Sequence, residues 1–213
     1  MVITYQGIEF FKVQFGETIL AFGPVSKDSK FKTPRFGADV AFISLNDKDM
    51  NGGDNVSLAD KNPVVISGPG EYEVKEVFIK GFPTKSTYGG KERINTIYTM
   101  AFDGMKICYL GALGTDELPV EAKEAIDDID ILFVPIGGEG VLSASSAYKL
   151  AVKLEPKIII PMHYGEIGDK NSLKTFLKEG GADGEALDKL TLKKKDLDGK
   201  EGDIIVLSPQ SGN

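Results

Sequence analysis

The chain of 213 residues carries 25 Lys and Arg against 32 Asp and Glu, which gives a formal net charge of −7. With 41% hydrophobic and 27% charged residues, the composition is that of a folded globular protein and excludes disordered, collagen-like and disulfide-stabilised chains. The single cysteine, Cys108, cannot form an internal disulfide, and the acidic balance argues against a nucleic-acid partner. Neither a membrane-spanning stretch nor a signal-peptide pattern is present, so we expect a soluble cytoplasmic protein that does not bind membranes.

The first half of the chain has the pattern of β-strands. Short aromatic and β-branched runs predict strands at residues 8–13, 18–22, 38–43 and 64–66. Charged and apolar residues alternate from 71 to 81, which is typical of an antiparallel strand exposed on one side. Two further strands, 94–102 and 105–110, flank Asp103-Gly104, a strong signal for a two-residue hairpin turn.

In the second half, helices alternate with strands. Helical spacing and end signals predict helices at 119–128, 143–154 and 171–179, with Ser143 placed to cap the second. Buried strands are predicted at 129–136 and 158–160, and a terminal strand pair at 190–193 and 204–207 around Asp198-Gly199. Together these elements predict an α/β protein of one domain over residues 1–213, with two β-sheets face to face and helices outside.

Four segments carry a resemblance to a known family. They are, in chain order, Gly68-Pro69-Gly70-Glu71-Tyr72-Glu73-Val74, Asn95-Thr96-Ile97, the strand 131–136 with Gly137-Gly138, and Glu155 through Pro161-Met162-His163-Tyr164-Gly165. In this order they resemble the metallo-β-lactamase fold, in particular its lactonase-like bacterial metal-dependent hydrolases. The resemblance covers roughly residues 3 to 207. It implies an αββα sandwich of two mixed sheets.

The metal-binding motifs of that family are largely replaced. The family places Thr-His-x-His-x-Asp-His after the strand that here ends at Ile43, and this chain has Ser44-Leu45-Asn46-Asp47-Lys48-Asp49-Met50. Only Asp49 matches. Residues 84–86 stand where the family has a further histidine, and Ala112 stands where it has the bridging aspartate. The last family histidine is retained as His163.

The resemblance therefore implies a degenerate metal site, because a catalytic zinc needs three protein ligands and an open position for water. We expect no cofactor and a non-catalytic role, in which the former cleft binds a small molecule or a protein partner or the chain serves as a scaffold. A homo-oligomer is compatible with this fold. The alternative is a hydrolase of lactones or phosphodiesters with one divalent ion (Zn, Mn or Mg) at Asp47, Asp49 and His163, since carboxylates suit hard cations.

Individual residues have competing interpretations. His163 and Asp49 are the candidate catalytic residues, although a buried imidazole can also be purely structural and the loop of Asp47, Asp49 and Asp54 can simply be solvated. The candidate ligand-binding residues are His163, Tyr164 and Gly138. Tyr164 is next to the only imidazole, and Gly138 lies in a glycine-rich turn before a helix, where backbone N–H groups can bind an anion.

Overall fold

The computed structural model describes residues 1–210 of the chain. Its strands are β1 (Val2–Gly7), β2 (Phe10–Phe15), β3 (Thr18–Phe22), β4 (Val40–Phe42), β5 (Val64–Ile66), β6 (Gly70–Val74), β7 (Val77–Ser86), β8 (Arg93–Phe102), β9 (Met105–Tyr109), β10 (Ile131–Pro135), β11 (Ile158–Met162), β12 (Leu190–Thr191) and β13 (Asp203–Ile204). The helices are α1 (Val120–Ala125), α2 (Ala144–Leu154) and α3 (Ser172–Glu179).

The strands form two mixed sheets, which confirms the predicted fold class. The first sheet has the order β12-β1-β2-β3-β4-β5, and the second has the order β13-β11-β10-β9-β8-β7-β6. In the second sheet β9, β10, β11 and β13 run parallel, while β6 to β9 are joined antiparallel. Because parallel strands end at the same edge of a sheet, the segments after β9, β10 and β11 meet at one edge of the molecule.

Aromatic side chains join the two sheets across the main core. Phe22 of the first sheet lies 5.0 Å from Tyr109 and 5.9 Å from Phe133 of the second, measured between ring centroids. Phe42 and Tyr98 make a similar contact at 5.3 Å. Such pairs are stabilising beyond the area they bury, and they hold the two sheets face to face.

Local signals in the sequence are well reproduced. Asp103 and Gly104 have φ values of 53° and 69°, as a type I′ hairpin turn between β8 and β9 requires. Ser143 caps α2, where its side chain accepts a hydrogen bond from the backbone N–H of Ser146. Helix α2 packs on β10 and α3 packs on α2. None of the helices found between residues 1 and 210 has the length and apolarity of a membrane span.

The predicted terminal strand pair is wrong. Strand β12 pairs with β1 in the first sheet, whereas β13 pairs with β11 in the second. A short 3-10 helix, Lys194–Leu197, lies between them and carries the chain from one sheet to the other. The turn signal at Asp198-Gly199 was interpreted as a hairpin, but the two flanking strands find long-range partners because each completes the edge of a different sheet.

Asp130 offers a test of the pH dependence of stability. Although burial raises its pKa, hydrogen bonds from Lys157, Lys194 and the backbone N–H of Lys106 outweigh burial and hold the pKa below its usual value. A carboxyl group with a depressed pKa in the folded state stabilises the fold above its unfolded pKa of about 4, and that contribution is lost as the pH falls through the folded pKa. We therefore expect Asp130→Asn to be less stable than the wild type at neutral pH.

The difference between Asp130→Asn and the wild type should shrink as the pH falls from about 5 to about 3, as measured by urea unfolding across that range. The exposed aspartate Asp183 provides the control, because Asp183→Asn removes a carboxylate that forms no salt bridge with any of residues 1–210. A difference between Asp130→Asn and the wild type that stays constant with pH would contradict this assignment.

Candidate functional site

The candidate site lies at the edge where several strands end. The turn between β1 and β2 supplies Glu9, the loop after β4 supplies Asp47 and Asp49, and the turn after β7 supplies Tyr88. His163 follows β11 directly. The topology therefore brings residues from distant parts of the chain to one position.

His163 is fully buried and paired with a carboxylate. Its Nδ1 lies 2.7 Å from Oε1 of Glu9, and both side chains have an exposed fraction of 0%. Which of the two atoms donates in this hydrogen bond depends on the tautomer of the imidazole ring. His163 Nε2 and Glu9 Oε2 are both buried without a hydrogen-bond partner.

The backbone at His163 is in the left-handed region, with φ of 60°. A Cβ atom at Gly137 would lie 2.3 Å from the carbonyl oxygen of His163 and 2.6 Å from its Cδ2. Such distances are impossible without movement of the backbone. The glycine after β10 therefore allows β11 to present His163 at this point, which gives the glycine-rich turn a packing role.

Asp49 is buried and accepts two hydroxyl hydrogen bonds. The hydroxyl of Ser29 donates to Oδ1 at 2.6 Å, and that of Tyr88 donates to Oδ2 at 2.7 Å. Burial, the hydrogen bond to Asp49 and the negative charges of Asp49, Asp47 and Glu9 raise the pKa of Tyr88 well above its usual value. The phenol is therefore held neutral in a negative surrounding.

Asp47 is tied to Arg93 rather than to His163. Its Oδ2 lies 2.9 Å from a guanidinium nitrogen of Arg93, and its Oδ1 accepts the backbone N–H of Asp49 at 3.0 Å. Arg93 also donates to the backbone carbonyls of Asn46 and Tyr88. The third loop carboxylate, Asp54, is exposed.

Three of the positions where the resemblance places family ligands hold apolar side chains. Leu45, Met50 and Ala112 have exposed fractions of 1%, 0% and 0%. All three belong to one buried apolar cluster, with Tyr88 packed against it. The other members of this second cluster include Phe10, Val25, Val141 and Ile167. Apolar side chains therefore occupy these three positions, at which the family has metal-binding residues.

Two predicted ligand-binding residues, Tyr164 and Gly138, make hydrogen bonds to other parts of the chain. The hydroxyl of Tyr164 donates to the carbonyl of Leu207 at 2.8 Å, and its ring lies 5.6 Å from that of Tyr5. Gly138 has φ of 67°, and its N–H donates to the carbonyl of Leu142. Within residues 1–210, neither side chain nor backbone N–H of these two residues is hydrogen-bonded to Glu9 or to the His163 ring.

Four residues of this network were missed in the sequence analysis: Glu9, Ser29, Tyr88 and Arg93. The contact between Glu9 and His163 joins positions 154 residues apart, so no local pattern reports it. Tyr88 could have been identified from the sequence, because Gly89-Gly90 after a predicted strand indicates a tight turn. An aromatic residue at such a turn can pack its ring against the core.

Within the described residues, the candidate metal-binding side chains are not grouped around one point in this structure. Asp47 is paired with Arg93, Asp49 is bonded to two hydroxyls, and His163 is bonded to Glu9. Within residues 1–210, no three His, Cys, Asp or Glu side chains are placed together so that they could hold a metal ion. A catalytic zinc needs three such ligands at about 2.0–2.3 Å.

Comparison with known proteins identifies similar sequences and structures. A family model described as a β-lactamase superfamily domain matches residues 2–163. A protein of Thermoplasma acidophilum named as a metal-dependent hydrolase is 33% identical over 105 residues, which span 49% of this chain and 45% of that relative. The match thus spans about half the length of that curated relative. A similarly named protein of Thermococcus onnurineus is 30% identical over 115 residues, half of each chain.

A solved structure extends the similarity over nearly the whole chain. It is described as a putative zinc-dependent hydrolase of the metallo-β-lactamase superfamily from Thermotoga maritima. The two chains share 30% sequence identity with a TM-score of 0.76, and 97% of each is covered.

These relatives overturn the expectation that the chain has no cofactor. That expectation is wrong, because it was drawn from the loss of individual ligands, whereas the relatives are named as metal-dependent or zinc-dependent hydrolases across the same fold. The number of metal ligands that one motif retains is therefore not a measure of whether members of the family bind a metal.

Proposed function

Because the chain belongs to the metallo-β-lactamase-fold family of metal-dependent hydrolases, we propose that it is a non-hydrolytic member that acts by binding a ligand at the strand-end cleft. One observation carries the proposal: Asp49 and the Nδ1 of His163 are both bonded to other side chains of the protein. Asp49 is bonded to Ser29 and Tyr88, and His163 is bonded to Glu9. Because these side chains hold one another in a hydrogen-bonded network, they support a binding role at this site rather than hydrolysis.

The apolar cluster gives independent support. Met50 and Ala112 are fully buried, so the space that a binuclear centre would need is taken by hydrocarbon. Ligand sites are typically lined by apolar side chains with a few polar groups. The binding role therefore agrees with both the polar and the apolar residues at this position.

The test is an assay of the purified full chain against a lactone, a phosphodiester and a β-lactam, with Zn²⁺, Mn²⁺ or Fe²⁺ supplied in turn. We expect no turnover above that of buffer with the same ion, and no difference between the wild type and Asp49→Ala. Turnover that requires the ion and is lost in both Asp49→Ala and His163→Ala would overturn the proposal. Asp54→Ala, which removes an exposed carboxylate from the same loop, controls for nonspecific ion binding.

A further inference from the structure

Four side chains form one row across the outer face of the second sheet, away from the candidate site. Glu73 of β6 lies directly opposite Phe78 of β7, and Ala101 of β8 lies directly opposite Lys106 of β9. The register between β7 and β8 places Phe78 beside Ala101. Because residues that lie opposite each other in an antiparallel pair point to the same face, these four share one surface, which we call the outer row.

The outer row faces solvent. Phe78 has an exposed fraction of 65%, and the other three residues are also exposed. The residues that alternate with the row on β7, β8 and β9 are Ile79, Met100 and Ile107, and these are buried in the main core. Helix α2 packs on β10, which is further along the same sheet. A single exposed ring is common in soluble proteins, so the ring alone identifies no partner.

The two ends of the outer row carry opposite charges. Glu73 forms no salt bridge with any of residues 1–210. Lys106 makes only peripheral contacts, since its Nζ donates to the carbonyl of Asp127 at 3.2 Å and lies 3.8 Å from the carboxylate of Asp128, a side chain that is 84% exposed. Neighbouring strands are about 4.8 Å apart, so the two ends are separated by about 14 Å. The row thus consists, in order, of an acid, a large ring, a methyl group and a base.

This order of side chains is complementary to itself. A two-fold axis that runs along the strands, midway between β7 and β8, stacks two copies of the sheet face to face in the aligned manner of packed sheets. The axis places Glu73 opposite Lys106 of the second copy and Phe78 opposite Ala101 of the second copy. Each contact then occurs twice, so that opposite charges meet at both ends and each large ring faces a small side chain.

We infer that the chain forms a two-fold symmetric dimer through the outer row, so that the occupant of this face is a second copy of the chain. The inference goes beyond the proposed function, because no residue of the row belongs to the candidate site. The net charge of −7 makes two copies repel each other at long range, so the attraction has to come from this face. A row of this size is smaller than a standard protein interface, and we expect a dissociation constant in the micromolar to millimolar range.

Reversal of the charges at the two ends of the row provides the test. Analytical ultracentrifugation of the purified full chain, from about 10 μM to about 1 mM, measures the dissociation constant of the dimer. We expect Glu73→Lys and Lys106→Glu each to raise that constant at least about tenfold, because each brings like charges together twice. The double variant has the net charge of the wild type and its charges are complementary again, so it should recover the dimer. Lys149→Glu changes an exposed lysine of α2 and should leave the constant within about twofold.

A second pair of variants tests the apolar centre of the row. Phe78→Glu should abolish the dimer, whereas Val152→Glu, which changes an apolar residue of α2 with an exposed fraction of 55%, should not. Because every substituted side chain is exposed, we expect these variants to fold, and circular dichroism checks this. A wild type that remains monomeric up to about 1 mM would overturn the inference. A dimer that survives either single charge reversal, or a double variant that does not recover, would also overturn it.

Discussion

Glu9→Ala is expected to lower the free energy of unfolding by about 1–3 kcal/mol, because it leaves a fully buried ring nitrogen of His163 without its hydrogen-bond partner. Both members of the pair have an exposed fraction of 0%, so water cannot replace the lost hydrogen bond at Nδ1. Urea unfolding of the purified variant measures the loss. The exposed Glu139 provides the control, and Glu139→Ala should change stability by no more than about 0.5 kcal/mol.

A double-mutant cycle isolates the pair from other effects. His163→Ala changes a residue whose backbone is in the left-handed region, which itself affects the free energy of unfolding. This backbone effect is present in both the single and the double variant, so it cancels in the cycle. We expect the double variant to lose less stability than the sum of the two single variants, by about 1–3 kcal/mol. Strict additivity would mean that Glu9 and His163 do not interact in solution.

The fold could be predicted largely because its signals are local. The hairpin turn at Asp103-Gly104 and the cap at Ser143 depend on a few neighbouring residues, and both are found as predicted. The segment ending in His163 carried a recognisable strand and motif. The order of such segments was sufficient to predict two sheets face to face.

The candidate site could be predicted only in part, because its contacts join distant positions. His163 and Asp49 were identified by their positions in a motif, but their partners Glu9 and Tyr88 had no such signal. Polar residues beside a turn are usually exposed, so Glu9 gave no indication of complete burial. The same reason explains the error at the chain's end, where β12 and β13 pair with strands that the local turn signal cannot report.

The apolar cluster and the polar network depend on each other. Tyr88 packs against the cluster that contains Met50 and Ala112, while its hydroxyl binds Asp49. A donor added among the apolar residues would therefore be forced into a dry surrounding next to an existing negative charge. This makes Ala112, which the resemblance places at the bridging carboxylate, the most informative position for a reverse substitution.

Ala112→Asp is expected to lower the free energy of unfolding by about 4 kcal/mol or more, since it buries an unpaired carboxylate beside Leu45 and Met50. Urea unfolding at neutral pH measures the loss. Ala112→Asn, which has nearly the same size without the charge, should lose less. Ala101→Asp, which places the same side chain at an exposed position of β8, should lose no more than about 1 kcal/mol.

The result that would contradict this prediction is specific. If Ala112→Asp were nearly as stable as the wild type, this position would be open to water or to a cation instead of being packed within the apolar cluster. A second contradicting result is a large loss of stability that added Zn²⁺ reverses in Ala112→Asp but not in Ala101→Asp. The new carboxylate would then bind the ion together with other side chains at this position. His163 and Asp49 would then have to leave Glu9 and Tyr88, and the hydrogen bonds on which the proposed function rests would be interchangeable with metal coordination.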